Sequence, residues 1–287
     1  MKTGTTRGPA DICLLCRERP ADKRNAHIVT DFATKGLFGE KHQGKLYLMV
    51  VKGDDISFEK KTQQSTPKED FMLCSECERR MGIVETDISN SFYRRYRKAN
   101  HRADFPIVHR KLLGGNELNF LLPSKVDSLM FSLFVWMQLW RASACQHEAF
   151  KHIKLSDDQE EQLRFHLYNF LKGTKQQTLD FSASHRDSFA PFVYNAIIPQ
   201  GRIRGDAQVL GMRSIYDGPS MAYVAGLLVF YHFGLAEVPR MGFNDGSRSL
   251  EIPMVTVKQW DQWKMRSILP SSYHPFMHLF PTVVNSL

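Results

Sequence analysis

In residues 126–140 apolar side chains dominate, broken by polar positions such as Ser128, Ser132 and Gln138. A helix that is apolar nearly all round is a buried one. This one is expected to start near Ser124, because Ser124 and Asp127 have capping-box spacing, and to run on to Cys145. A second helix is better marked. Ser156 and Gln159 make a capping box, and Asp157, Asp158, Glu160 and Glu161 fill the first turn, where the helix dipole favours acids. Leu163, Leu167, Phe170 and Leu171 form its inner stripe, and Gly173 stops it. A third helix follows Cys77, with Met81, Val84, Glu85 and Ile88 at helical spacing.

Strand patterns lie at residues 45–51, at 208–216, at 221–233 after the turn Asp217-Gly218-Pro219, and at 251–257. Residues 60–70 are polar and read as a loop, and residues 1–12 as a flexible lead-in. Residues 106–123 read as a connector turning at Gly114-Gly115-Asn116. The sum is an α+β chain: a first domain over 1–105, a connector over 106–123, and an α+β domain of helices followed by a small sheet over 124–287.

The length of 287 residues allows two domains. The net charge of +8 is unevenly placed: 22 Lys and Arg stand against 15 Asp and Glu in residues 1–111, and 16 against 15 thereafter. A basic first domain suits a polyanion, nucleic acid most often, although a solvated surface gives the same count. The N-terminal stretch has no apolar core of a secretory signal, and residues 126–140 are too short and too polar for a membrane span. The expected location is cytoplasmic, with no membrane partner.

Four of the five cysteines form two pairs, Cys13-x-x-Cys16 and Cys74-x-x-Cys77, separated by 57 residues. In a reducing compartment such pairs read as ligands of one tetrahedral structural Zn2+ rather than as disulfides. Cys145 sits in an apolar helical pattern and reads as a buried small hydrophobe. Residues 91–102, SFYRRYRKANHR, interleave Phe92, Tyr93 and Tyr96 with Arg94, Arg95, Arg97, Lys98 and Arg102. Phosphate contact with nearby base stacking is one reading. A surface helix with packed aromatics and solvated cations is the other.

Eleven residues after the first pair comes Ala26-His27-Ile28-Val29-Thr30-Asp31, a His on a β-branched segment. The helix after Cys77 places Glu78 and Glu85 seven residues apart on one face. With Leu73-Cys74 to Cys77-Glu78 and the later Trp140-Arg141-Ala142-Ser143, these motifs resemble a bacterial family of HNH-like endonucleases with a structural zinc. The resemblance covers both domains. It implies an N-terminal zinc-stapled ββα-metal, treble-clef-like domain, with His27 as the base that deprotonates water. It also implies a catalytic Mg2+ or Mn2+ held by Glu78 with Asp70, Asp31 or Glu85. The chain departs from the family pattern at three places. Ala26 stands where a metal-binding acid is usual, Thr30 where a proline is usual, and no Asn precedes the second cysteine pair, Glu69 and Asp70 being the nearest polar residues.

Each candidate has a structural alternative. His27 could bond a backbone group near the cysteines, Glu78 could serve the helix dipole, and Glu85 could be a solvated surface acid. Trp136, Trp140 and Arg141 read as core and interface, and His147, His152 and His166 suggest no second site. The expected function is metal-dependent hydrolysis of DNA, ahead of RNA, with a role in defence against phage by family analogy. The alternative is a non-catalytic zinc-bound module that binds nucleic acid or docks a protein partner through the C-terminal domain.

Overall fold

The computed structural model describes residues 7–30, 32, 46–52, 55–61, 67–96, 98–111, 117–150, 153–200, 211–214, 220–224, 227–233, 244, 246 and 248–260. The chain is mixed α+β. In its first part, β1 (Ala26–His27) is followed by the hairpin of β2 (Leu46–Lys52) and β3 (Asp55–Lys61), then by β4 (Lys68–Glu69). β1 and β4 pair antiparallel, Ala26 opposite Glu69 and His27 opposite Lys68. The strand expected over 45–51 is present as β2. Its partner β3 carries a weak signal, with only Ile56 and Phe58 at period two among charged residues.

Helix α1 (Ser75–Ile88) starts directly after Cys74 and buries Met81, Val84 and Ile88 as their spacing requires. A wider turn over Ser89–Tyr93 follows, in which the Arg94 N–H bonds the Ser89 carbonyl five residues back. Such a turn inserts an extra residue into the helical register. It lets two adjacent aromatics, Phe92 and Tyr93, both turn inward, where they are 1% and 6% exposed.

The rest of the chain forms β5 (Ile107–Lys111), β6 (Glu117–Leu121), α2 (Ser128–Ala144), α3 (Asp157–Phe170), α4 (Lys175–Ser184), β7 (Phe192–Pro199), β8 (Gly211–Ser214), β9 (Ser220–Val224), β10 (Leu227–Phe233) and β11 (Ile252–Val255). Seven strands make one sheet in the order β5-β6-β11-β7-β10-β9-β8. Neighbours run antiparallel except β11 and β7, which are parallel. The segment expected to be a connector therefore carries the edge hairpin of this sheet. The strand expected over 221–233 is divided between β9 and β10. The turns expected at Gly114-Gly115-Asn116 and Asp217-Gly218-Pro219 lie outside the described residues, as do residues 201–210.

The start of α2 differs from expectation. Its cap is Asp127, whose Oδ1 accepts from the N–H groups of Leu129 (2.9 Å) and Met130 (3.1 Å). Ser124 is tied elsewhere: its N–H and Oγ both donate to the Asp104 carbonyl. The capping box of α3 is present, Ser156 and Gln159 each bonding the other's backbone.

Helix α2 is buried from Leu129 to Ser143 because it is covered on two sides. Towards the sheet, Trp136 Nε1 donates to the Phe192 carbonyl (3.0 Å) and the Tyr231 hydroxyl donates to the Val135 carbonyl (3.1 Å). The Trp136 ring meets Phe192 and Tyr231 with centroids 5.4 and 5.1 Å away. Gly246, at φ +82°, comes so close to the start of the helix that a Cβ there would sit 3.0 Å from Leu129 Cδ2. On its other side α2 meets α1. One contiguous apolar cluster thus extends from Cys13 to Met254, across both expected domains. Among the described residues no helix is long and apolar enough to cross a membrane.

Candidate metal centre and the carboxylates beside it

The sulfurs of Cys13, Cys16, Cys74 and Cys77 all lie within 4.8 Å of one another, and all four residues are buried. A tetrahedron with metal–sulfur bonds of about 2.3 Å has edges of about 3.8 Å; the Cys16 and Cys74 sulfurs are 3.9 Å apart. The separation is far beyond a disulfide bond of about 2.05 Å, and all five cysteines are free thiols. Local backbone makes this geometry. Arg17, at φ 57°, closes the first turn by donating its N–H to the Cys13 carbonyl (3.0 Å). Cys74 caps α1, its sulfur accepting from the Cys77 N–H (3.4 Å). Leu14 N–H to the Met72 carbonyl and Lys23 N–H to the Leu73 carbonyl, both 3.0 Å, bind the two turns together.

The crowded sulfurs perturb one another. A hydrogen bond from Cys77 holds the Cys13 thiol down to about 4, whereas that same bond pushes Cys77 up and burial pushes Cys74 up. A four-thiol set with one thiolate already favoured is chemically suited to a divalent, thiophilic cation. Helix α3 fastens the first turn from outside: Arg164 donates to the Leu15 carbonyl (2.5 Å), Arg17 pairs with Glu161 (2.6 Å), and the Tyr168 hydroxyl donates to Glu18 (2.6 Å).

His27 lies on β1, half-buried between the fully buried Ala26 and Ile28. The strand pair rests on α2. The Thr30 N–H donates to Gln138 Oε1 (3.4 Å), and Glu69 Oε2 accepts the Gln146 N–H (2.7 Å). Asp70 accepts the Asn25 N–H (2.7 Å), so this candidate ligand stabilises the left-handed turn at Asn25, φ 54°. Asp31 lies outside the described residues.

Between Gln138 on α2 and Gln146 just beyond the helix end stands Arg141, 1% exposed. Its guanidinium meets three residues of one α1 face. NH1 bonds Glu85, Nε donates to Met81 Sδ (3.2 Å), and NH2 lies 3.6 Å from Glu78 Oε2. Burial works against the cation's charge, and the Glu85 and Glu78 carboxylates outweigh it, raising its pKa. The NH2 to Glu78 distance is too long for a hydrogen bond, and both atoms are buried without one.

The structure thus bears out Glu78 and Glu85 as sharing a face, and corrects the reading of Glu85 as a solvated acid. It does not gather a second metal site. The four cysteines are the sole cluster of metal-donor side chains among the described residues, and a guanidinium fills the space between Glu78 and Glu85. The catalytic Mg2+ or Mn2+ expected there does not fit this arrangement. Arg141 was legible as a core residue but not as the partner of both acids. Its signal is the solitary cation in an apolar helix, which has to find buried carboxylates.

The basic stretch divides. Phe92 stacks on Tyr96 (5.6 Å, 6°) and meets Phe105 and Phe131 edge-on, and Tyr93 packs on Phe32 and Phe134. Phe92 and Tyr93 are thus core residues, as in the reading of this stretch as a helix with packed aromatics. Arg95 pairs with Asp104 (2.8 Å) and holds that carboxyl below its usual range. Arg94, Lys98 and Arg102 are exposed, while Arg97 lies outside the described residues. His166 is walled in by aromatics, and His152 is outside the described residues.

No family model, curated protein or solved structure matches the chain.

Proposed function

We propose that the chain is an HNH-like endonuclease, with a structural Zn2+ on Cys13, Cys16, Cys74 and Cys77 and with His27 as the base that takes a proton from water. The observation that carries this reading is an order of elements: the antiparallel pair of β1 and β4, with His27 on β1, leads through the second cysteine turn into α1, whose one face bears Glu78 and Glu85. A ββα unit closed by one metal is the layout that the motif resemblance implies. The exposed Arg94, Lys98 and Arg102 offer phosphate contacts beside it. The half-buried His27 would act as the base, and His is the residue whose ordinary pKa suits proton removal near neutrality. No step is assigned to a second metal.

The test is cleavage of supercoiled plasmid DNA and of structured RNA by zinc-loaded protein, with and without Mg2+ or Mn2+. Cleavage by the wild type and its loss in His27→Ala supports the reading. Equal cleavage by both proteins overturns His27 as the base, and no cleavage under any condition removes the enzyme.

A second reading is favoured by Arg141. A guanidinium bound to both carboxylates leaves a zinc-stapled module that binds nucleic acid without cutting it. Retained, salt-sensitive binding with no cleavage in wild type and His27→Ala alike identifies that case.

A further inference from the structure

We infer that Arg141 and a divalent cation exclude one another at Glu78 and Glu85. The inference deepens the nuclease reading, on which its meaning for catalysis rests, but the exclusion is a property of binding and is measured as such.

Glu78 and Glu85 lie two turns apart on α1 and converge on one guanidinium. Two half-buried carboxylates this close need positive charge between them. The chain supplies it from α2, through a side chain that is itself almost fully buried. The hold is unequal. Glu85 is hydrogen-bonded to NH1, whereas Glu78 faces NH2 across 3.6 Å, and the two facing atoms, Glu78 Oε2 and Arg141 NH2, are each buried without a hydrogen bond. An orphaned carboxylate oxygen beside an orphaned donor marks an unfinished contact, and leaving such atoms unmet is costly. Glu69 Oε1 on β4, Thr30 Oγ1 just beyond β1 and Gln138 Nε2 on α2 are also buried without a partner.

A divalent ion at Glu78 would bring a second positive charge against NH2, so it could be held there only if the guanidinium ceded that carboxylate. Binding of the ion and the contact between Arg141 and Glu78 are then linked, each weakening the other by the same factor. Arg141 thereby holds the place a divalent ion would need at Glu78, while its bond to Glu85 keeps α1 joined to α2.

The test is calorimetric titration of zinc-loaded protein with Mn2+, in wild type, Arg141→Met, Glu78→Gln and Arg141→Met/Glu78→Gln. The expected result is Mn2+ binding roughly tenfold or more tighter in Arg141→Met than in wild type, a gain lost in the double variant. Equal or weaker binding in Arg141→Met, or a gain that survives Glu78→Gln, overturns the inference. Circular dichroism and zinc content establish that each variant is folded. Should Arg141→Met fail to fold, the wild type against Glu78→Gln and Arg141→Lys decides it. Wild-type binding as weak as that of Glu78→Gln, with Arg141→Lys binding tighter than wild type because a shorter point charge withdraws from Glu78, upholds the exclusion. Tight, Glu78-dependent binding by the wild type refutes it. None of these readouts uses cleavage, so failure of the nuclease reading and failure of the exclusion are separable.

Discussion

The guanidinium of Arg164, on α3, donates to the carbonyl oxygen of Leu15 in the middle of the first cysteine turn, 2.5 Å away. Arg164 is itself held by Glu161 at 2.7 Å. The turn that offers two sulfurs to the metal is thereby attached to a helix 149 positions further along the chain. Replacing Arg164 by Met leaves the Leu15 carbonyl without this donor and should destabilise the protein by about 1–3 kcal/mol. Urea unfolding measures the loss, and faster zinc release to a chelator should accompany it.

Removal of the metal should have a larger effect. The four cysteine side chains belong to the contiguous core, so loss of the ion removes the link between the two turns from inside that core. Structural zinc sites contribute on the order of 10 kcal/mol of apparent binding energy at neutral pH. Cys74→Ser, which also alters the cap of α1, should lose stoichiometric zinc and lower the thermal midpoint. Metal analysis together with a thermal melt checks both outcomes.

The buried ion pair between Arg141 and Glu85 is a third target. Breaking it from either side strands a charge in the interior and should cost about 3–5 kcal/mol. The double variant Arg141→Met/Glu85→Gln should recover part of that loss, with a coupling of about 1–3 kcal/mol in a double-mutant cycle. Strict additivity would show that the two residues stabilise the protein independently.

Acid should weaken the fold through two histidines. Burial among Phe170, Phe189 and Phe192 lowers His166 from 6.5 to about 3, and burial lowers His232 to about 4. As pH falls below about 6.5 the unfolded chain takes up these protons and the folded chain does not. Stability is therefore full above that pH and declines on the way down, by up to about 1.4 kcal/mol per pH unit for each histidine. In His166→Leu the decline between neutral and mildly acidic pH should be shallower. An unchanged slope by urea unfolding contradicts the assignment.

Charge reversal at Arg94, Lys98 and Arg102 tests the polyanion surface without touching the core. Each phosphate contact removed should flatten the dependence of log affinity on log salt by about 0.9 for duplex DNA. Fluorescence anisotropy with a labelled duplex, repeated at several salt concentrations, gives that slope. A slope identical to wild type places nucleic acid elsewhere on the molecule or nowhere.

What could be read in advance depended on how local its cause was. The capping box at Ser156 and Gln159, the stripe from Leu163 to Phe170 and the paired cysteines each state their role within a few residues. The long apolar helix was equally plain, though its cap was misplaced by three residues. Ser124 and Asp127 both have capping chemistry, and only the distant Asp104 carbonyl decides between them. Strand β7 and the hairpin of β5 and β6 owe their form to partners far along the chain, Ile252–Val255 among them, so their short and irregular apolar patterns said little alone. The candidate site divides in the same way. Cys13, Cys16, Cys74 and Cys77 declare themselves by spacing, whereas the meeting of Glu78 and Glu85 with Arg141 depends on how two helices cross.

Helix α2 also dictates an order of assembly. One of its faces needs α1, and the other needs β7 and β10, whose Phe192 and Tyr231 pack on it. While the chain is being synthesised, a strongly apolar helix lacks this cover until β7 and β10 have emerged, some fifty to ninety positions later. Cutting the chain at the apparent boundary near residue 124 leaves α1 with a bare apolar flank and α2 with no roof. The two halves are then poor candidates for separate expression, and either should be recovered in aggregates unless its complement is produced alongside it.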